Sequence, residues 1–65
     1  MTNKLKEARF KNNLSQWMLA VTTGISQTKI SLIENSFVEP SETEKKKLAK
    51  ALNKKVGELF IDNSK

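Results

Sequence analysis

Residues Gln16–Asn35 read QWMLAVTTGISQTKISLIEN, and the fold turns on this stretch. Two apolar segments flank one glycine. Each is entered through an apolar residue followed by serine: Leu14-Ser15 before the first, Ile25-Ser26 before the second. A serine ahead of a helix is a good N-cap, because its hydroxyl accepts a hydrogen bond from an otherwise unpaired backbone N–H. Leu14 and Ile25 precede these caps, and Leu19 and Ile30 follow them by four positions. That is the spacing of a hydrophobic staple, which fixes the angle at which the chain enters a helix. Gly24 falls where the first helix must end, and glycine tolerates the left-handed conformation such an ending needs. The spacing therefore predicts two short helices, Gln16–Thr23 and Gln27–Asn35, joined at a sharp angle. Ala20 is small enough for a close crossing, and Ile30 and Ile33 take the inward side of the second helix. Ala20, Gly24, Ile30 and Ile33 together have the spacing of a helix-turn-helix.

Outward from this core, helix 1 is expected over about Asn3 to Asn12, with Leu5 and Ala8 facing inward. Helix 4 begins at Pro40-Ser41 and reaches about Leu52, opened by a capping box of Ser41 and Glu44. Leu48, Ala49, Ala51 and Leu52 form its apolar stripe. The run Lys45-Lys46-Lys47 reads as a solvated face, with Glu42 spaced to pair with Lys46. Helix 5, about Val56 to Ile61, brings Val56, Leu59 and Phe60 back onto the core. Strictly alternating β-branched runs are missing. The expectation is an all-α, compact five-helix bundle, one domain over residues 1–65 with the helix-turn-helix at about 16–35.

Composition narrows the function. A 65-residue chain buries only about 60% of its unfolded surface, which leaves no room for a deep substrate cavity beside a core. Cysteine and histidine are both absent, which excludes a disulfide scaffold and the usual zinc sites. No Gly-rich phosphate loop and no pocketed pair of carboxylates is visible. No catalytic residue, metal or cofactor is expected. No apolar run approaches the roughly 18 residues of a membrane span, and no signal-peptide pattern opens the chain. A cytoplasmic protein with no membrane partner is the plain expectation. A net charge of +5 and a pI near 9.8 point to an acidic partner, nucleic acid first.

The segments LSQWMLAVTTGISQTKISLIEN, EPSETEKKKLAKAL and VGELF, taken together, resemble the lambda-repressor-like, XRE-type (Cro/repressor) DNA-binding domain. The resemblance covers Leu5 to Phe60, and SQxxLA, GIS and IxxIE are its specific parts. It implies a five-helix bundle that binds operator DNA as a homodimer with helix 3 in the major groove. A dimer contact through helix 5 and the residues after it is expected. Relatives often carry a further sensing domain. This chain ends within five residues of helix 5, so ligand sensing within it is not expected.

The resemblance and the chemistry together assign site residues. Gln16 opens helix 2, where unpaired N–H groups and the helix dipole favour an anion, and its amide is expected to clamp a DNA phosphate. Ser26, Gln27 and Thr28 crown the recognition helix. Gln27 can bond bidentately to adenine, and Thr28 can offer a hydroxyl or a methyl to thymine. Ser31 and Leu32 lie one turn further on the same face, and Leu32 suits a thymine methyl. Lys29 and Asn35 are expected at phosphates. Arg9, the sole arginine, is expected to fork onto Glu34 and tie helix 1 to the recognition helix. The loop Ser36-Phe37-Val38-Glu39 lacks the basic residues many relatives place there, so phosphate binding by it is not expected. Phe37 and Trp17 are expected to cover the outside of a small core. The competing expectation is a patch of Trp17, Phe10 and Phe37 for a partner or for self-association, as in an antitoxin-type regulator that also binds a protein.

Overall fold

The structure, a computed structural model, describes residues 3–60. Five helices follow in order: α1 (Leu5–Lys11), α2 (Gln16–Thr23), α3 (Gln27–Glu34), α4 (Glu42–Ala51) and α5 (Val56–Leu59). Among the described residues there is no strand, only an isolated antiparallel bridge between Asn3 and Phe60.

Local chemistry sets most of the helix starts. Ser15 Oγ accepts from the Met18 N–H at 3.0 Å, and Ser26 Oγ accepts from the Lys29 N–H at 3.1 Å. At α4 the capping box is complete: Ser41 Oγ accepts from the Glu44 N–H at 3.2 Å, and Glu44 Oε1 accepts from the Ser41 N–H at 2.9 Å. Ser41 is thus the cap, as the capping-box spacing predicts, and the helix proper begins at Glu42. Helix α1 starts two residues later than expected, because Asn3 is used otherwise. Its Oδ1 accepts from the Leu5 N–H at 3.1 Å, and its Nδ2 donates to the Ile33 carbonyl at 2.8 Å. The Lys4 N–H donates to the Leu59 carbonyl at 2.8 Å. The far end expected for α5, Ile61, lies outside the described residues.

Helix ends are set by left-handed residues. Gly24, at φ +78°, ends α2, and its N–H donates to the Ala20 carbonyl at 2.8 Å. Asn13, Ser36 and Asn53 have φ of 57°, 63° and 57°. Each closes its helix with the paired bonds of a Schellman motif. After α1, Asn13 donates to the Phe10 carbonyl and Leu14 to that of Arg9; after α3, Ser36 donates to Ile33 and Phe37 to Leu32; after α4, Asn53 donates to Lys50 and Lys54 to Ala49. Within the α2–α3 turn, the buried Thr23 hydroxyl donates to the Leu19 carbonyl at 2.8 Å and accepts from the Ile25 N–H at 3.2 Å. The turn keeps its polar groups satisfied while its apolar residue enters the core.

Helix α2 packs on α3 and α4, α1 packs on α3, and α5 packs on α4. Leu5, Leu19, Ile30, Ile33, Leu48, Leu52 and Leu59 are fully buried at the centre. Ile25, Ala8, Ala49 and Phe60 complete this cluster, and Leu14, Ala20 and Val56 pack against it partly buried. Both staples therefore reach the core.

Two expectations are corrected here. Phe37 and Trp17 do not cover the core: they are 76% and 60% exposed. The inward arc of α2 is already filled by Leu19, Ala20 and Thr23, which leaves Trp17 on the outer side. Glu42 pairs with Lys45 at 3.7 Å, one position earlier than expected. Lys45 is accordingly not part of a solvated face. Its side chain is largely buried, with Glu39 at 3.6 Å and the Phe60 ring centroid 5.9 Å from its Nζ.

Candidate nucleic-acid interface

Helix α3 turns Ile30 and Ile33 into the core, which leaves Gln27, Thr28, Ser31 and Leu32 on its outer side. Gln27 and Thr28 are exposed, Ser31 is half-buried, and Leu32 lies outside the core. These four residues and Gln16 line one open depression on the surface. Five of the expected contact residues, drawn from two helices, thus share one site. Ser26 does not line it; its hydroxyl is engaged as the cap of α3.

The depression is braced from behind by a buried polar cluster. Arg9 Nε donates to Glu34 Oε2 at 2.6 Å, and Arg9 Nη2 donates to Glu34 Oε1 at 3.3 Å. The two side chains are only 6% and 1% exposed. A third guanidinium donor, Nη1, reaches the Leu14 carbonyl at 2.9 Å. Arg9 therefore joins α1, the α1–α2 connection and the end of α3.

Gln16 joins this cluster. Its Nε2 donates to Glu34 Oε1 at 3.0 Å. A carboxylate can only accept, so the amide must turn its nitrogen inward. That leaves one amide hydrogen and the side-chain oxygen for outside contacts. The N–H groups of Gln16 and Trp17 are also left over at the start of α2, since Ser15 takes that of Met18. The capacity to hold an anion at this point thus rests on the helix terminus as much as on the side chain.

Two other expected contacts are engaged elsewhere. Lys29 Nζ pairs with Glu44 Oε2 at 2.7 Å, so it bridges α3 to α4. Asn35 Nδ2 folds back onto the Ser31 carbonyl at 2.9 Å. The hydrogen bond from Lys29, followed by that from the Ser41 N–H, holds the Glu44 carboxyl below the usual carboxylate range.

Charge is distributed unevenly. From Asn12 to Ser41 the chain carries one cation, Lys29, against two carboxylates, Glu34 and Glu39. All three take part in ion pairs. The excess of lysine lies on α1, α4 and the segments beside them, including Lys54 and Lys55 ahead of α5. Helix α5, expected to carry the dimer contact, exposes Gly57 and Glu58 and is preceded by exposed Lys54 and Lys55. Its Leu59 is spent on its own core.

Three participants escaped the sequence. Leu14 contributes a carbonyl, which no side-chain pattern announces. Asn3 and Glu44 act through bonds to residues 30 and 15 positions away. The cap formed by Glu44 was visible locally, but its partner on α3 was not.

Comparison with known proteins agrees with this geometry. A family model described as helix-turn-helix matches residues 5–59. The chain is also similar to an uncharacterized HTH-type transcriptional regulator of Methanocaldococcus jannaschii, with 39% identity over 61 residues, covering 94% of this chain and 92% of that protein. No helix among the described residues is long and apolar enough to cross a membrane. A five-helix bundle with a capped, stapled pair at its centre and a match over nearly its whole length place this chain in the lambda-repressor-like, XRE-type family of helix-turn-helix DNA-binding regulators.

Proposed function

We propose that the chain is a sequence-specific transcriptional regulator: a single, non-enzymatic helix-turn-helix domain that acts in the cytoplasm as a homodimer on a two-half-site operator, with α3 in the major groove. The observation that carries this is the shared depression of Gln16, Gln27, Thr28, Ser31 and Leu32. It sets a helix terminus suited to phosphate beside two exposed polar side chains suited to base edges. Gln27 reads adenine, Thr28 and Leu32 meet thymine methyls, and Ser26 and Ser31 supply hydroxyls at the margins. Gln16 fixes the backbone register, because phosphate contacts position a protein without specifying sequence. Lys29 and Asn35 join the backbone contacts by giving up their internal partners. Arg9 and Glu34 hold Gln16 and α3 in one orientation.

Selection of bound sequences from a random duplex pool tests this. Enrichment of two related half-sites whose centres lie about 34–36 Å apart is expected. Recovery of no common sequence would refute it.

A second reading has its own observation. Phe10, Trp17 and Phe37 are all exposed, which suits an antitoxin-type regulator that also binds a protein. DNA binding that persists when Trp17, Phe10 and Phe37 are replaced by polar residues, with loss of a protein ligand, would favour it. Salt dependence separates the two: DNA binding through cation–phosphate contacts weakens steeply with salt, while an apolar protein interface does not.

A further inference from the structure

The positive charge of the chain lies away from the outer side of α3. The chain carries +5 overall, yet the stretch from Asn12 to Ser41 holds one cation and two carboxylates, all ion-paired. Helix α4 displays part of the excess. Leu48 and Ala49 take its core side, and Lys46, Lys47 and Lys50 occupy the opposite arc, all exposed. Among the described residues none of these three is ion-paired. Glu42, four positions before Lys46, pairs with Lys45 instead, and Glu44, three before Lys47, pairs with Lys29. Lys46 and Lys50 are four apart, and Lys47 and Lys50 three apart, spacings at which like charges destabilise a helix. A cation in the last turn suits the dipole of α4, which accounts for Lys50 but not for Lys46 and Lys47.

A cleft between α2 and α4 borders this arc. It is lined by Thr22, Thr23, Lys47, Lys50 and Ala51, with no carboxylate among them. The Thr22 and Thr23 hydroxyls donate to the Met18 and Leu19 carbonyls, so the two ammonium groups are the donors this cleft offers. Lys54 continues the row four positions beyond Lys50, but it lines a depression shared with Glu7 and Glu58 and does not belong to the same surface. The chemistry of the arc selects its partner. Protein interfaces are depleted in lysine and enriched in aromatic residues, methionine and arginine, none of which stands among these three positions. Lysine meets phosphate as a point charge, and duplex DNA offers one negative charge per about 1.7 Å of its axis.

The arc is also set apart from the recognition depression. Gln16, at the start of α2, lines that depression, whereas Thr22, six residues on, lines the cleft beside α4, about 9 Å further along the helix. A duplex read by α3 lies at the Gln16 end. We infer that the outer side of α4, formed by Lys46, Lys47 and Lys50, is a second, sequence-independent DNA surface, which takes the phosphate backbone of a duplex other than the one α3 reads. The inference rests on the proposed reading of DNA by α3 and goes beyond it: one protein holds two duplex segments together. Three point charges make this the weaker contact, prominent at low salt.

The test loads the protein with unlabelled selected half-site until every recognition helix is occupied, then titrates in a fluorescent duplex of random sequence and follows its anisotropy. Wild type should bind the second duplex at about 50 mM salt, and log K should fall against log salt with a slope of about −2.7, at 0.9 per lysine. The triple variant Lys46→Gln, Lys47→Gln, Lys50→Gln removes the charge and keeps helix propensity, so far-UV circular dichroism should stay native. It should bind the selected half-site within about twofold of wild type and the second duplex at least about tenfold more weakly. Each single Lys→Gln change should lower the slope by about 0.9, which keeps the test open if the triple variant does not fold. The triple Lys→Arg variant retains the charge and should retain the second duplex. Gln27→Ala should change the first step alone. If no half-site can be selected, the proposed function fails; the same variants are then read on the random duplex directly, where loss of about 2.7 in slope still supports the α4 surface. Loaded wild type that takes up no second duplex overturns the inference, as does a folded triple Lys→Gln variant that takes it up as well as wild type. Binding of poly-glutamate in place of duplex would assign the surface to an acidic protein and overturn it too.

Discussion

Removing Arg9 should nearly unfold this protein. The guanidinium makes two bonds to Glu34 and one to the Leu14 carbonyl, and both charged side chains are almost completely shielded from water. Arg9→Ala leaves the Glu34 carboxylate buried with Gln16 as its remaining side-chain donor. Breaking a buried pair from one side costs about 3–5 kcal/mol, because the surviving charge is uncompensated. A chain of 65 residues has about 3–10 kcal/mol in total, at roughly 0.05–0.15 kcal/mol per residue. The loss therefore consumes much or all of its stability. Replacing both partners, Arg9→Met with Glu34→Leu, removes the stranded charge and should recover most of the loss. Urea denaturation followed by far-UV circular dichroism, run as a double-mutant cycle, measures both effects. The recovered double variant should still bind DNA more weakly than wild type, since Gln16 no longer has an anchor. The exposed pair Lys11–Glu7 at 3.5 Å is the internal control and should be worth no more than about 1 kcal/mol. If Arg9→Ala also costs less than about 1 kcal/mol, the pair is not a buried brace and the reasoning fails.

Gly24→Ala should destabilise by about 1–2 kcal/mol, from backbone strain alone, because φ is +78° and an added Cβ meets nothing within 4 Å; a neutral thermal melt would contradict this. The Glu44 carboxyl is held below its ordinary range, so its contribution is present above the unfolded value of about 4.3 and is lost as pH falls through the lower folded value. Unfolding profiles should accordingly drop more steeply below about pH 4 in wild type than in Glu44→Gln, and parallel profiles would refute the assignment. Gln16→Ala should weaken binding to specific and random duplexes by similar factors; loss confined to the specific site would mean that Gln16 does not contact the backbone.

How much of this was legible beforehand depended on distance along the chain. The starts of α2 and α3 were readable, because Ser15 and Ser26 cap them within three residues and the staples span five positions. The inward sets Leu19 and Ile30-Ile33 followed from helical periodicity. The end of α2 was legible through Gly24, but the equivalent left-handed ends at Asn13, Ser36 and Asn53 were not, since asparagine and serine are far less committed to that conformation than glycine. The bounds of α1 were not readable either, because bonds from Asn3 to Ile33 and from Lys4 to Leu59 fix that region. Side-chain partners across helices were the least accessible. Spacing alone favoured Glu42 with Lys46 and left Lys29 for a phosphate. The crossing of α3 with α4 instead gives Lys29 to Glu44, and Glu42 meets Lys45. For the recognition residues, position on the outer side of α3 was readable from Ile30 and Ile33, whereas the joining of Gln16 to the buried pair needed the fold. Hydrophobicity alone argued for covering the core with Trp17 and Phe37, and only the packed arc of α2 shows that no room remained for Trp17.

The central claim is that α3 reads base pairs through its exposed first turn, and Gln27 tests it most directly. Gln27→Ala removes neither a core contact nor a cap, since Ser26 supplies the cap and Ile30 and Ile33 the packing. The fold should be unchanged. Wild-type and variant proteins are competed against every single-base change in the selected half-site. The account predicts a loss of about 1–3 kcal/mol at the cognate site and a relaxed preference at one base pair, an A·T, with non-specific affinity unchanged. A variant that keeps the wild-type preference at every position would contradict it, and would mean that Gln27 does not read a base.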